Sequence, residues 1–213
     1  MLQRLIILGR SGNALDILDI VEAINGHGER WSVEGILDDR APAGTSFSGV
    51  DILGPLSRAA ELDGCLFVNG IGSDKSHRQR QSILAATGLG AAKFATIVHP
   101  AASISTGAKL GRGVGAGPSV CVGRNVAVGD HVWLGAGAII GHDSVIEDYC
   151  VVAPGAVISG GVHIGASAYI GAGAVIRQNL EVGAGALVGM GAVLTRNVAA
   201  EATVYGNPAR PRR

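Results

Sequence analysis

His142 and Asp143 stand side by side in the stretch AIIGHDSVIEDYC (138–150). An imidazole titrates near neutral pH, and a neighbouring carboxylate raises its basicity and holds one tautomer, so the pair is suited to general base catalysis. Adjacent residues on an extended strand face opposite ways, so contact between these two requires a turn. A second stretch with chemical potential is LGRSGNALDI (8–17), which combines a strand end, a Gly-containing turn and a helix start. Backbone N–H groups at a helix N-terminus bind phosphate. The stretch is not a full G-x-G-x-x-G motif and by itself does not establish dinucleotide binding.

The elements that must position these residues fall into two halves. Residues 1–97 alternate strands and helices. RLIILG (4–9), VEGILDD (33–39) and CLFVNGIG (65–72) are strand runs. SGNALDILDIVEAI (11–24) is helical, with Leu15, Leu18, Val21 and Ile24 as its apolar face; PLSRAAELD (55–63) and SHRQRQSILAATG (76–88) are further helices. KFATIVHP (93–100) closes this half. The pattern implies a Rossmann-like α/β domain with a small parallel sheet.

Over residues 98–213 the grammar changes. Stepping by six from Ile104 to Leu194 meets 16 consecutive positions, 15 aliphatic and one Ala, without an insertion. The position four later is mostly small or apolar: Ala108, Val114, Val120, Val126, Val132, Ala138, Ser144, Cys150, Ala156, Val162. A strict six-residue period of this kind is the signature of a parallel β-helix, in which each hexapeptide is a short strand and a turn. If three hexapeptides make one coil, residues 18 apart stack. His142 then points outward, as do His131 and His163. Gly160, followed by Gly161, lies directly above His142. Missing side chains there leave room for a ligand and expose a backbone N–H able to meet an oxyanion. Cys121 and Cys150 are expected at small packing positions.

Composition narrows the classes. The chain has 213 residues, no formal net charge and no charged tail, which argues against nucleic acid or an anionic membrane as partner. It has 34 Gly but only three Phe, two Trp and three Tyr, in keeping with a repeat. The sequence shows neither a signal-peptide pattern nor an apolar run long enough to span a membrane. Three widely spaced cysteines fit a reduced cytoplasm and argue against a disulfide framework or a zinc site. His131, His142 and His163 do not have the spacing of a three-His metal set, and no metal is expected.

The repeat, with GRSGN (9–13) and VYGNPAR (204–210), resembles the hexapeptide-repeat sugar acetyltransferases of the sialic acid O-acetyltransferase, UDP-bacillosamine and GDP-perosamine N-acetyltransferase type. The resemblance spans nearly the whole chain and implies a left hand for the β-helix, with a nucleotide-sugar-binding domain before it. It also implies acetyl-CoA as co-substrate and a homotrimer with active sites between adjacent β-helices. His142 would be the general base, Asp143 its orienting acid, and the Gly160 amide the oxyanion donor. The cofactor groove would involve Gly160, Ala172, Met190, Pro208 and Ala209. Ser11, Gly12 and Asn13 would hold the pyrophosphate, Asp38 and Asp39 the nucleoside, and Gly72 and Ser73 the third loop of that site. Some relatives carry a second His nine residues after the base; here that place is Val151. The implied reaction is N-acetylation of a nucleotide-linked 4-amino sugar, with O-acetylation of sialic acid or a related sugar as the alternative. The terminal arginines Arg210, Arg212 and Arg213 are candidates for the CoA phosphates, against a solvated tail.

Overall fold

The computed structural model describes residues 2–212. The chain begins with a five-stranded sheet: β1 (Gln3–Leu8), β2 (Trp31–Leu37), β3 (Ser46–Phe47), β4 (Val50–Gly54) and β5 (Cys65–Asn69), in the order β3-β4-β2-β1-β5. All pairings are parallel except β3 with β4. That short antiparallel hairpin was not expected from the sequence.

Helix α1 (Gly12–Gly26) follows β1. It buries Ala14, Ile17, Ile20 and Val21, while Leu15, assigned to the apolar face, is 42% exposed. The inward face is thus rotated by about one residue. Leu56–Glu61 forms a 3₁₀ turn where a helix was expected, and of the segment 76–88 only Arg80–Ala85 (α2) is α-helical. No helix among the described residues is long and apolar enough to cross a membrane.

From Ile97 the chain winds into a left-handed parallel β-helix with three flat faces. Face one begins at Ile97–Val98 and Gly115–Ala116 and includes Trp133–Leu134, Val151–Val152, Tyr169–Ile170 and Leu187–Val188. Face two runs from Ser103–Ile104 to Val193–Leu194, and face three from Lys109–Leu110 to Glu181–Val182. Through most of the helix, successive strands on a face pair 18 residues apart, for example Ile139 with Val157 and Ile140 with Ile158. The six-residue columns read from the sequence form one buried core that runs the length of the prism. Ser144, a polar member of that core, is satisfied: its hydroxyl donates to Ser159 O at 3.1 Å and accepts from Val162 N–H at 3.2 Å. Cys150 is fully buried, and burial pushes its thiol up to about 12, so it is no nucleophile at neutral pH. Cys121 is exposed on the outer surface of face two and is not a packing residue, because it occupies the outward position before Val122.

The segment 93–100 joins the halves. Phe94 bridges to Phe67 of β5, while Ile97–Val98 pairs with Gly115–Ala116 of the β-helix. The first sheet and α1 pack on face one, covering Trp133 and Val151. Arg80 pins this junction. Its guanidinium is fully buried and donates to Ile71 O, Tyr149 O and Cys150 O at 2.6–2.9 Å. Burial lowers its pKa to about 10, which leaves it charged at neutral pH. His131 corrects the sequence reading. It lies at an outward turn position, yet only 5% of it is exposed, because Phe94 packs edge-on against its ring and Tyr149 stacks on the other side.

Candidate active site

The corner after face two carries His142. Its turn is closed by Asp143, whose φ of 59° is in the left-handed region. That backbone reversal brings the two adjacent side chains together, which an extended strand forbids. His142 Nδ1–H donates to Asp143 Oδ2 at 2.7 Å. The other carboxylate oxygen, Oδ1, accepts from Asn125 Nδ2–H at 2.9 Å, one coil below. Hydrogen bonds from Asn125 and then from His142 hold the Asp143 carboxyl below its usual value. Asn125 was missed in the sequence; the signal was its place 18 residues before Asp143. With Nδ1–H donated to the carboxylate, Nε2 is left with its lone pair free.

Nε2 lies against Gly160. A Cβ on Gly160 would sit 2.7 Å from His142 Cε1 and 2.8 Å from Nε2, so only glycine leaves the ring in place. The Gly160 N–H makes no hydrogen bond among the described residues. His142, Asp143, Gly160, Gly161, Gln178 and Asn179 line an open cavity of about 450 Å³.

A second cavity, of about 440 Å³, lies at the C-terminal ends of β1, β2 and β5. The sheet order reverses at β1, and such a switch point opens a crevice between neighbouring loops. Ser11, Asp38, Asp39, Gly72 and Ser73 line it, joined by Arg10 and Arg40, which sequence reasoning did not single out. The Ser11 hydroxyl donates to Gly70 O and Asn13 Nδ2 to Gly72 O, which ties the first loop to the third. Asp38 is 4% exposed, and its oxygens accept the Arg10 and Arg40 N–H groups at 2.8 and 2.9 Å. It shapes the loops and is not a solvated strand end. Asp39 is exposed, with Oδ1 capping Leu56 N–H. Gly12 and Asn13 line a smaller adjoining cavity of about 290 Å³ with Asp16, Gly72, Pro154 and Tyr169.

The two sites are on different sides of one chain. The loop at Gly72 rests on face one, within 3.3 Å of Val151 when given a Cβ. His142 stands on the edge between faces two and three, across the prism from face one. Ala172 and Met190 lie on a different edge from Gly160, the one between faces one and two, with Pro154 in the same column. One copy therefore does not bring all the sequence-assigned residues together. Pro208 and Ala209 lie near the C-terminal end, where Ala209 lines a cavity with Arg196 and Arg210. Arg213 lies outside the described residues.

The family described as bacterial transferase hexapeptide (six repeats) matches residues 125–160 and 161–196. WeeI from Acinetobacter baumannii AYE is 30% identical, with a TM-score of 0.83 over 98% of this chain and 99% of that one. The acetyltransferase domain of PglB from Neisseria gonorrhoeae FA1090, solved with acetyl coenzyme A, is 28% identical, with a TM-score of 0.84 over the whole of both chains. PerB from Caulobacter crescentus, solved with CoA and GDP-perosamine, is 26% identical, with a TM-score of 0.80 over 98% of this chain and 97% of that one. The chain belongs to the hexapeptide-repeat sugar acetyltransferases. No curated protein matches the sequence. Among the described residues of this acetyltransferase no cluster of metal-binding side chains is present.

Proposed function

We propose that this acetyltransferase transfers the acetyl group of acetyl-CoA to the amine of a nucleotide-linked 4-amino sugar, with His142 as general base. The observation that carries the reading is the His142 imidazole, oriented by Asp143 through Nδ1, with Nε2 facing an open cavity beside the Gly160 amide. As the amine attacks the thioester carbonyl, Nε2 takes the proton released from nitrogen. Charge builds on the carbonyl oxygen, where the Gly160 N–H meets it. Collapse of the tetrahedral species breaks the C–S bond, and the imidazolium returns its proton to the leaving CoA thiolate. No acetyl-enzyme is needed, in keeping with the inert thiol of Cys150. The cavity at Ser11, Asp39 and Gly72 would hold the nucleotide, with the pyrophosphate over the start of α1.

Placing that cavity across the prism from His142 supports an active site shared between copies. A row of apolar side chains on face two adds support: Ile139 and Val175 are 44% and 39% exposed, with Cys121 below them. Such a row fits burial in an assembly. A cyclic homotrimer would bring His142 and Gly160 of one copy to the edge of the next that carries Pro154, Ala172 and Met190. The test is a thiol-release assay with acetyl-CoA against UDP-, GDP- and dTDP-linked 4-amino sugars and free sialic acid. CoA release with one nucleotide-linked amino sugar supports the reading. Release with sialic acid alone, or with none of them, overturns it.

A further inference from the structure

The inward column of the β-helix that runs in steps of six from Ala108 to Val198 holds one hydroxyl, Ser144, two residues after His142. The side chain is fully buried. Its Oγ sits inside the turn one coil up, Ser159-Gly160-Gly161-Val162. There it donates to Ser159 O at 3.1 Å and accepts from Val162 N–H at 3.2 Å. Turns at other corners close directly: Ala156 N–H donates to Ala153 O at 3.3 Å and Ala174 N–H to Gly171 O at 3.1 Å. The turn at Gly160 has no such direct bond among the described residues, and the Ser144 hydroxyl relays it instead.

Ser159 C=O and Gly160 N–H belong to one peptide unit. It is trans, since the cis bond among the described residues is Asn207–Pro208. In a trans unit the carbonyl and the amide point in opposite directions. A carbonyl drawn inward to Ser144 therefore sends the Gly160 N–H outward, to the side where His142 Cε1 and Nε2 lie against Gly160. Two consecutive glycines offer little resistance to rotation of this unit, because glycine has the widest choice of backbone angles. A contact from elsewhere must fix it. We infer that Ser144 is a positioning residue: its hydroxyl holds the Ser159–Gly160 peptide from inside the prism and aims the amide at the oxyanion before substrate arrives. A donor fixed in advance needs no reorientation during the reaction, which is the source of its effect. Ser144 itself is sealed in the core and touches no reactant. The inference rests on the reading of Gly160 as the oxyanion donor.

The experiment compares Ser144→Val with Ser144→Thr in the full-length protein. The two side chains have nearly the same shape and differ in one hydroxyl. Val126 and Val162, one coil below and one above in the same core, show that this shape is accepted there. Thiol release from acetyl-CoA is followed with the nucleotide-linked amino sugar that supports turnover. Ser144→Val should lower kcat roughly ten- to a hundredfold, with KM for both substrates unchanged within about twofold. Ser144→Thr should recover most of that loss. The pH midpoint of kcat should stay at its wild-type value, because the bond between His142 and Asp143 is untouched. Crystal structures of the two variants read the peptide directly: in Ser144→Val the Ser159 carbonyl should leave its inward position and the Gly160 N–H should turn from the cavity. An unmoved peptide in Ser144→Val overturns the inference and leaves the Gly160 reading intact. A turned peptide with wild-type kcat overturns it by removing Gly160 from the mechanism. Equal losses in the two variants would assign the effect to packing, and a shifted pH midpoint would assign it to Asp143; either result also overturns the inference.

Discussion

Gly160→Ala is a small change with a large expected effect on turnover. The added methyl would lie 2.7 Å from His142 Cε1, where ordinary contact starts at 3.4 Å, so the ring must retreat by about 0.7 Å. Gly160 has no left-handed φ, so the backbone accepts alanine without strain and the ring must give way. Retreat takes the 2.7 Å bond to Asp143 toward the limit of hydrogen-bond range and moves Nε2 away from the acceptor. A misplacement approaching 1 Å costs on the order of 10²-fold in rate, so kcat should fall about a hundredfold. Stability should stay within about 0.5 kcal/mol, because the corner is exposed and no core contact changes. Thiol-release kinetics give the first number and calorimetric melting the second. In the double variant with His142→Ala, no further loss is expected beyond that of His142→Ala alone, since both act on one group. Wild-type turnover in Gly160→Ala, or a double variant in which the two losses multiply, would refute the geometry drawn for the base.

Three other outcomes follow from the same structure. Asp143→Asn should lower kcat by two or more orders of magnitude while KM for acetyl-CoA holds, because an amide can present N–H to Nδ1 and stabilise the wrong tautomer. Asn125→Ala should raise the Asp143 pKa, measurable by carboxyl NMR, and leave the fold intact. The third outcome concerns acid. Burial lowers the pKa of both His77 and His131 below the ordinary 6.5, and both sit where the first domain meets the β-helix. Below about 6.5 the unfolded chain binds protons that these folded imidazoles refuse, so their stabilising contribution is present at higher pH and is lost as pH falls through that range. Melting temperature should drop between about pH 6.5 and 5, and His131→Phe should flatten part of the drop; an unchanged slope would remove His131 as a cause.

The sequence made the β-helix legible because its core admits only one register. An aliphatic side chain must recur every six residues to stack, and Ile104 to Leu194 does so without interruption. The first domain was less legible where its elements are short. The hairpin at Ser46–Gly54 pairs only two residues on one side, and the 3₁₀ turn at Leu56–Glu61 has too few residues to display a helical period. The apolar face of α1 was misplaced by one residue because its Ala, Leu, Ile and Val residues come in adjacent pairs (Ala14-Leu15, Ile17-Leu18, Ile20-Val21, Ala23-Ile24), so the helix takes its orientation from the sheet and face one.

His131 and Asp143 mark the limit of pattern reading at the site. Both follow an aliphatic position by three, and both take a left-handed φ, 58° and 59°. The repeat assigns them the same outward direction. One is buried and the other exposed because Phe94 packs over the edge that carries His131, while none of the described residues covers the edge at Asp143. The difference arises from how a second domain docks, which six-residue arithmetic cannot encode. The same docking puts the cavity proposed for the nucleotide on face one, across the prism from His142. A single-chain sequence can thus point to each half of the proposed reaction centre and still not say that, on this reading, the halves belong to different copies. That follows only once the faces are assigned. It also predicts a readout that no single-copy site can produce: mixing inactive His142→Ala chains with inactive chains altered at Gly72 should restore part of the activity on reassembly. Absence of any restored activity, with mixed oligomers demonstrably formed, would place both halves in one copy.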